Sequence, residues 1–216
     1  GAYVLWLPAG AAGSVRVVES NPAGALSVGG SAGNTGGSYD RLQDAVSFAN
    51  AAGTAYAGVN FADVPENSFA GDNQQTAQPG AVVFHPHAFV AGSAGRLTLS
   101  LSGSASPAAS GGWSGVLYLD ANCNGTADPG EAVIAGPVDL IADQRLCLVV
   151  KTFAPANAPV NAQYAQTLTA SFTWANAGFS ASQSRSDLTV AGRAGEAGLK
   201  LSKSVNKAAA QPGETV

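Results

Sequence analysis

Residues 167–174 read TLTASFTW, and every second side chain from Leu168 to Trp174 is apolar. Residues 96–102, RLTLSLS, repeat this pattern with leucine at every second position. Successive side chains of a β-strand point to opposite faces, so such alternation predicts a strand with one face in a core and the other in water. The two segments therefore predict half-buried antiparallel strands.

Similar segments extend along most of the chain. Further strands are predicted at 15–20, 25–28, 81–85, 115–120, 132–136, 145–153, 186–191 and 198–205. Turn-rich stretches separate the strands from residue 81 onward, with no helical period between them. About seven short strands divided by turns are typical of an immunoglobulin-like antiparallel β-sandwich, so the predicted fold class is all-β.

One segment departs from the alternation. Residues 38–52, SYDRLQDAVSFANAA, show helical spacing of the apolar residues Leu42, Ala45, Val46 and Ala49. Ser38 or Asp40 could cap the first turn of a helix there, because a short polar side chain can accept a bond from a free backbone amide. We therefore predict a short helix over this segment.

A short repeat suggests the domain organisation. The tetrapeptide AQPG occurs at 77–80 and again at 210–213, and each copy precedes a strand-like stretch. We predict an N-terminal β-rich segment or partial preceding module over 1–75 and a complete sandwich over 76–195. Residues 196–216 would then supply the first strand of a following module, or a strand that is exchanged with another chain.

The composition restricts the classes of partner. Charged residues make up 11% of the chain, against about 25% in an average globular domain. The formal net charge is −4, and no cluster of Lys or Arg occurs. This disfavours nucleic acid and anionic membrane as partners, and no apolar run is long enough to insert into a bilayer. A surface wetted mainly by Ser, Thr, Asn and Gln is typical of secreted β-proteins.

The motif with the most specific chemistry is the stretch 120–131, DANCNGTADPGE. It satisfies each position of the calcium-loop pattern D-x-[DN]-x-[DN]-G-x5-E. Ca²⁺ is a hard ion that takes six to eight oxygen ligands, and Gly125 permits the sharp turn that brings those oxygens together. The predicted ligands are the side chains of Asp120, Asn122, Asn124, Asp128 and Glu131, with the backbone carbonyl of Thr126.

Two other interpretations of this stretch stay open. An Asn-Gly hairpin turn with polar decoration would need no metal, and Asn124-Gly-Thr126 also matches a glycosylation sequon. The flanking residues 115–119 and 131–135 alternate like strands rather than helices. A bound ion would therefore stiffen a loop between strands, whereas a sensor loop lies between two helices.

The chain has two cysteines, Cys123 inside this loop and Cys147 in the predicted strand 145–153. They are predicted to form one disulfide in an oxidising compartment, and the alternative is a pair of buried free thiols. The two histidines, His85 and His87, share one face of a predicted strand. A structural role is the favoured interpretation of this pair over metal binding, and Pro86 between them indicates an edge strand.

Several stretches together resemble the conserved repeat modules of large bacterial secreted and cell-surface proteins. They are VNFADVPENSF with TAQPGAVVFHPHAFVAGSAG, then GWSGVLYLDANCNGTADPGE, then RLCLVVKTFAPANAPVNAQ running to LTASFTW, and GLKLSKSV with AQPGETV. The resemblance covers about residues 59–216. It implies tandem immunoglobulin-like sandwiches with adhesion, stalk or fibre roles, calcium ligation within 120–131, and no general enzymatic activity.

These observations lead to two function hypotheses, both at the bacterial cell surface or in the extracellular space. The first is a structural module of a fibre, filament or stalk that is stabilised by Ca²⁺ and one disulfide. It would associate with further copies or with neighbouring modules, and residues 198–205 could do so by strand addition. The second is an adhesin whose loops bind a surface glycan or a protein ligand. Neither hypothesis involves catalysis.

Overall fold

The computed structural model describes residues 1–175 and 177–193 as an all-β fold, with one short 3-10 turn at Gly33–Thr35 and no α-helix in this part of the chain. Among these residues no helix is long and apolar enough to cross a membrane. The strands are β1 (Gly13–Val18), β2 (Ala25–Ala32), β3 (Ser38–Asp40), β4 (Ala45–Asn50), β5 (Val59–Pro65), β6 (Ser68–Ala70), β7 (Asn73–Ala77), β8 (Val82–Val90), β9 (Gly95–Ser106), β10 (Ser114–Leu119), β11 (Val138–Leu140), β12 (Arg145–Phe153), β13 (Gln163–Trp174) and β14 (Ser180–Ala191).

The main body of the structure is a sandwich of two sheets. One sheet has the strand order β10-β12-β8-β6, and the other has the order β11-β9-β13-β14-β7. Neighbouring strands are antiparallel except for β7, which runs parallel to β14. This arrangement confirms the predicted immunoglobulin-like, all-β fold.

The alternating side chains form the core as predicted. Leu168 and Phe172 of β13 are at most 1% exposed, and Leu97 of β9 is fully buried beside them. The opposite sheet contributes Leu148 and Val150 of β12, which are also fully buried. One face of each long strand is therefore removed from water, which is the main favourable contribution to the stability of such a sandwich.

The first five strands form a smaller unit, called the N-terminal lobe below. Its sheets have the orders β1-β4-β3 and β2-β5. Leu26 and Val64 of this lobe pack against the core of the sandwich. The guanidinium of Arg41 lies 4.1 Å from the ring centroid of Phe179, a cation–π contact between the two parts.

The predicted helix over residues 38–52 is wrong, because the segment forms the hairpin of β3 and β4. The carboxylate of Asp40 accepts a hydrogen bond from the amide of Leu42 at 2.9 Å, and Asp44 takes a left-handed φ of 43°. The chain therefore reverses where the helix would have continued, and Leu42 is left 87% exposed. Val46 pairs with β1 and is fully buried, so tertiary pairing overrides the local helical spacing.

The predicted strand at 132–136 is also wrong, since it makes only an isolated bridge between Val133 and Tyr118. Strands β5, β6, β7 and β11 were not among the predicted segments. The predicted strand at 198–205 lies outside the described residues. The division of the chain at residue 75 stays a prediction, but β6 and β7, which begin before it, are edge strands of the sandwich.

Candidate metal sites

The stretch 120–131 forms a compact loop that begins directly after β10. The amide of Asp120 donates to the carbonyl of Cys147 at 3.0 Å, which fixes the start of the loop against β12. Cys123 and Gly125 take left-handed φ values of 56° and 81°. The glycine at this position is therefore required by the backbone, as the motif predicts.

Asp120 is the buried anchor of the loop. Asp120 is only 3% exposed. Its carboxylate accepts hydrogen bonds from the backbone amides of Asn124 at 3.1 Å and Gly125 at 2.8 Å. Bonds from backbone amides compensate part of the cost of burying a carboxylate. The loop is consequently wrapped around the side chain of its first residue.

Asp128 accepts hydrogen bonds from side chains in the middle of the loop. Its Oδ2 accepts from the side-chain amides of Asn122 at 2.9 Å and Asn124 at 2.7 Å, and its Oδ1 accepts from the hydroxyl of Thr126 at 3.1 Å. The bond from Asn122, followed by those from Asn124 and Thr126, holds the pKa of Asp128 below its usual range. Hydrogen bonds to the charged form thus keep this carboxylate ionised.

Glu131 closes the loop with both carboxylate oxygens. Oε1 accepts from the amide of Ala121 at 2.8 Å, and Oε2 accepts from the amide of Asp128 at 2.9 Å. All six predicted ligand residues therefore belong to one hydrogen-bonded ring. The atoms with which these residues could ligate a metal are all oxygens of carboxylate, amide or carbonyl groups. Such a set of ligands fits Ca²⁺ rather than a softer metal. The binding of Ca²⁺ itself stays a prediction.

The predicted disulfide is present between Cys123 and Cys147, with 5.4 Å between the two Cα atoms. It joins the tip of the loop to a strand whose residues from Leu146 to Val150 are all buried. The loop is therefore tied to the centre of one sheet by a covalent bond in addition to its hydrogen bonds.

A second acidic group lies in the N-terminal lobe and was missed by the sequence analysis. Glu19, Asp44 and Asp63 bring carboxylate oxygens within 4.8 Å of one another. Among the described residues, the carboxylates of Asp120, Asp128 and Glu131 do not form such a group. Such an acidic cluster could bind a metal ion, although exposed acidic groups are common without one.

The electrostatics of this second cluster are unfavourable. Burial, followed by repulsion from Asp63 and Asp44, raises the pKa of Glu19, and burial followed by the charge of Asp44 raises the pKa of Asp63. Oε2 of Glu19 is buried without a hydrogen-bond partner. The hydroxyl of Tyr39 donates to Asp44 at 2.9 Å, and burial together with that bond raises the pKa of Tyr39 to about 12. No local sequence signal connects the three acids, because they belong to separate turns and strands.

The two histidines lie between the sheets of the sandwich. Nε2 of His87 is 2.9 Å from Oδ2 of Asp187, and Nε2 of His85 is 2.8 Å from the hydroxyl of Thr189. Both histidines and Asp187 are buried, and Asn73 donates to the same carboxylate at 2.9 Å. These bonds connect β8 with β14, which supports the structural interpretation of the pair.

Pro86 lies between the histidines where one side of β8 has no strand partner. β6 covers β8 only at residues 88–90. Proline has no amide to donate, so it is tolerated at such an open edge. Cβ of Pro86 would be 3.5 Å from a Cβ placed on Gly125, so this edge also supports the loop at 120–131.

Comparisons with known proteins do not assign the chain to a family. No family model matches the chain. No curated protein matches it either. The resemblance to bacterial repeat modules therefore stays a prediction, while the immunoglobulin-like fold is established by the strand order.

Several solved structures share part of the architecture. The major pilin subunit of Bacillus cereus is 9% identical with a TM-score of 0.36, over 84% of this chain and 65% of that one. The major subunit of aggregative adherence fimbriae type I from Escherichia coli is 13% identical with a TM-score of 0.34, over 58% of this chain and 93% of that one.

An enzyme that hydrolyses glycans has a TM-score similar to those of the pilin and fimbrial subunits. A family 123 glycoside hydrolase from Clostridium perfringens is 11% identical with a TM-score of 0.38, over 56% of this chain and only 23% of that one. The TM-scores all lie below 0.5, and the three proteins include both fibre subunits and an enzyme. These likenesses therefore carry no argument about what this chain does.

Proposed function

We propose that this chain is a structural module of an extracellular fibre, filament or surface stalk. The observation that carries the proposal is the loop 120–131, in which six oxygen-bearing residues form one hydrogen-bonded ring. The disulfide ties that ring to the buried strand β12. A loop held in this way between strands can stiffen a sandwich, but it has no helices to open a groove as a sensor does.

Calcium would be held by the same residues. The carboxylates of Asp120, Asp128 and Glu131 would neutralise the ion, and Thr126 would offer its backbone carbonyl. The amides of Asn122 and Asn124 now donate to Asp128, and rotation of each amide would present its oxygen instead. Bound Ca²⁺ would supply positive charge to a loop that otherwise carries three carboxylates.

The proposed setting is the bacterial cell surface or the extracellular space. Disulfides persist mainly in oxidising compartments, and the described residues include one. The few charged residues are consistent with a secreted β-protein. In this proposal the module acts by keeping its shape and by joining to further copies or neighbouring modules, and it catalyses no reaction.

The proposal assigns the joining role to residues 198–205, whose alternating sequence can add as a strand to an open sheet edge. Negative-stain electron microscopy of the full chain at increasing concentration tests this. We expect filaments in the presence of Ca²⁺, fewer in a chelator, and none for a chain that ends at residue 195. A chain that stays monomeric under all conditions, and binds a glycan array or a protein ligand, would instead support the adhesin hypothesis.

A further inference from the structure

The N-terminal lobe has an apolar groove. Residues 3–7, YVLWL, belong to no strand, and their side chains are between 47% and 89% exposed, with Trp6 the most exposed. Together with Val15, Val17 and Phe48 they line a groove of about 800 Å³. A large contiguous patch of exposed apolar side chains often marks an interaction site.

An open strand edge borders the groove. β1 is the terminal strand of its sheet, and among the described residues it pairs only with β4. Val15 and Val17, which line the groove, belong to this strand. The unpaired backbone groups of such an edge can form a ladder with one more strand.

Acidic charge lies at one end of that edge. Glu19 directly follows β1 and belongs to the cluster with Asp44 and Asp63. Tyr3 lines the groove, and its pKa is raised by burial and then by the nearby charge of Glu19. A strand that carried cations would relieve the repulsion among these carboxylates.

Residues 198–207, GLKLSKSVNK, have the matching chemistry. In a strand, Leu199, Leu201 and Val205 would share one face with Lys203, while Lys200 would fall on the other face. The segment contains three lysines and no acidic residue. Its length exceeds the six residues of β1, so one segment could cover the whole edge.

We propose that residues 198–205 of a second copy add to the free edge of β1 and insert their apolar side chains into the groove beside residues 3–7. This inference rests on the proposed function, since it names the acceptor for the tail strand. Leu201 then contacts the groove residues Val15 and Val17, and the lysines approach the acidic cluster.

Cysteine cross-linking between two full-length chains tests the contact. One chain carries Val17→Cys and the other carries Leu201→Cys, and mild oxidation is followed by a non-reducing gel. The matched control is Val18→Cys, because the adjacent residue points to the opposite face of β1 and is already 52% exposed. Peptide mapping verifies that the native disulfide is intact, and Val15→Cys is a second groove position in case one variant folds poorly.

We expect cross-linked dimer from Val17→Cys and Val15→Cys several-fold above that from Val18→Cys. Lys200→Glu combined with Lys203→Glu in the donor chain should weaken the association by about tenfold at low salt. Equal cross-linking of Val17→Cys and Val18→Cys would overturn the inference, because it would show no ordered strand in the groove.

The failure of this inference is distinguishable from the failure of the proposed function. β9 also has an open edge, since β11 covers it only at residues 95–97. Preferred cross-linking of Leu201→Cys to Ser102→Cys on that edge would overturn the groove assignment while leaving tail-dependent assembly intact. Groove cross-linking without any tail-dependent filament would uphold the contact and reject the fibre role.

Discussion

Replacement of Asp120 by alanine should destabilise the module in two separable ways. The first is independent of metal, because the buried carboxylate accepts from the amides of Asn124 and Gly125. A hydrogen bond to a charged group contributes roughly 1.5–3 kcal/mol. Water can replace part of this at the exposed Asn124, so we expect a loss of about 3 kcal/mol in chelator.

The second effect appears only with calcium. A ligand that binds the native state stabilises it by about 2.7 kcal/mol when its concentration is a hundred times Kd. The unchanged chain should gain this amount on addition of saturating Ca²⁺. The Asp120→Ala variant loses the first ligand of the loop, and its free energy of unfolding should change little.

Urea unfolding followed by circular dichroism, in chelator and in Ca²⁺, measures both effects. Asp139→Ala is the control, since this carboxylate lies outside the loop, is 80% exposed and is 3.7 Å from Arg96. It should stay within about 0.5 kcal/mol of the unchanged protein in both buffers. If Ca²⁺ stabilises the Asp120→Ala variant as much as the unchanged chain, the assignment of this loop as the calcium site is refuted.

Three further predictions concern the sandwich itself. Replacing Cys123 and Cys147 together by serine should lower the free energy of unfolding by about 3 kcal/mol through loop entropy, since the cysteines are 24 positions apart. An unchanged urea midpoint contradicts this. Burial lowers the pKa of His85 below its ordinary 6.5, so His85 takes up a proton more readily in the unfolded chain than in the native state. The free energy of unfolding should therefore fall as the pH drops below about 6.5, and it should level off below the pKa of the folded state. His85→Gln should reduce that slope in pH-dependent thermal unfolding, and an identical slope would reject the assignment. Gly115→Ala would place its Cβ against Nε2 of the buried Gln166 and should cost about 1–3 kcal/mol. Gly111→Ala, which meets nothing within 4 Å, should be nearly neutral by the same measurement.

Local pattern was sufficient to locate at least part of each longer strand of the sandwich. The predicted strand 145–153 agrees with β12 in both bounds, because its side chains combine a buried run with β-branched residues. The alternation in 96–102 and 167–174 likewise identified parts of β9 and β13. The predicted cysteine pair formed its disulfide, and the spacing of residues 120–131 located a loop that closes on itself.

Local pattern was insufficient where a distant partner chose the conformation. Helical spacing in 38–52 competed with pairing to β1, and the pairing prevailed because it buries Ala45 and Val46. Residues 132–136 alternate like a strand, but they follow the turn of the loop and reach only one bridge to Tyr118. β6 and β11 have three residues each, which is too short for a period to be recognised.

The strand character of the chain and the oxygen-rich loop at 120–131 could be predicted from the sequence, since each depends on residues that are neighbours along the chain. The disulfide could be predicted because the chain has only two cysteines. Which other distant groups meet depends on the tertiary structure. The register of β8 against β12, and the stacking of the two sheets, bring His87 to Asp187. The turns of the N-terminal lobe gather Glu19, Asp44 and Asp63 beside an open strand edge. Such contacts depend on strand pairing over long sequence separations, and no local period records that pairing.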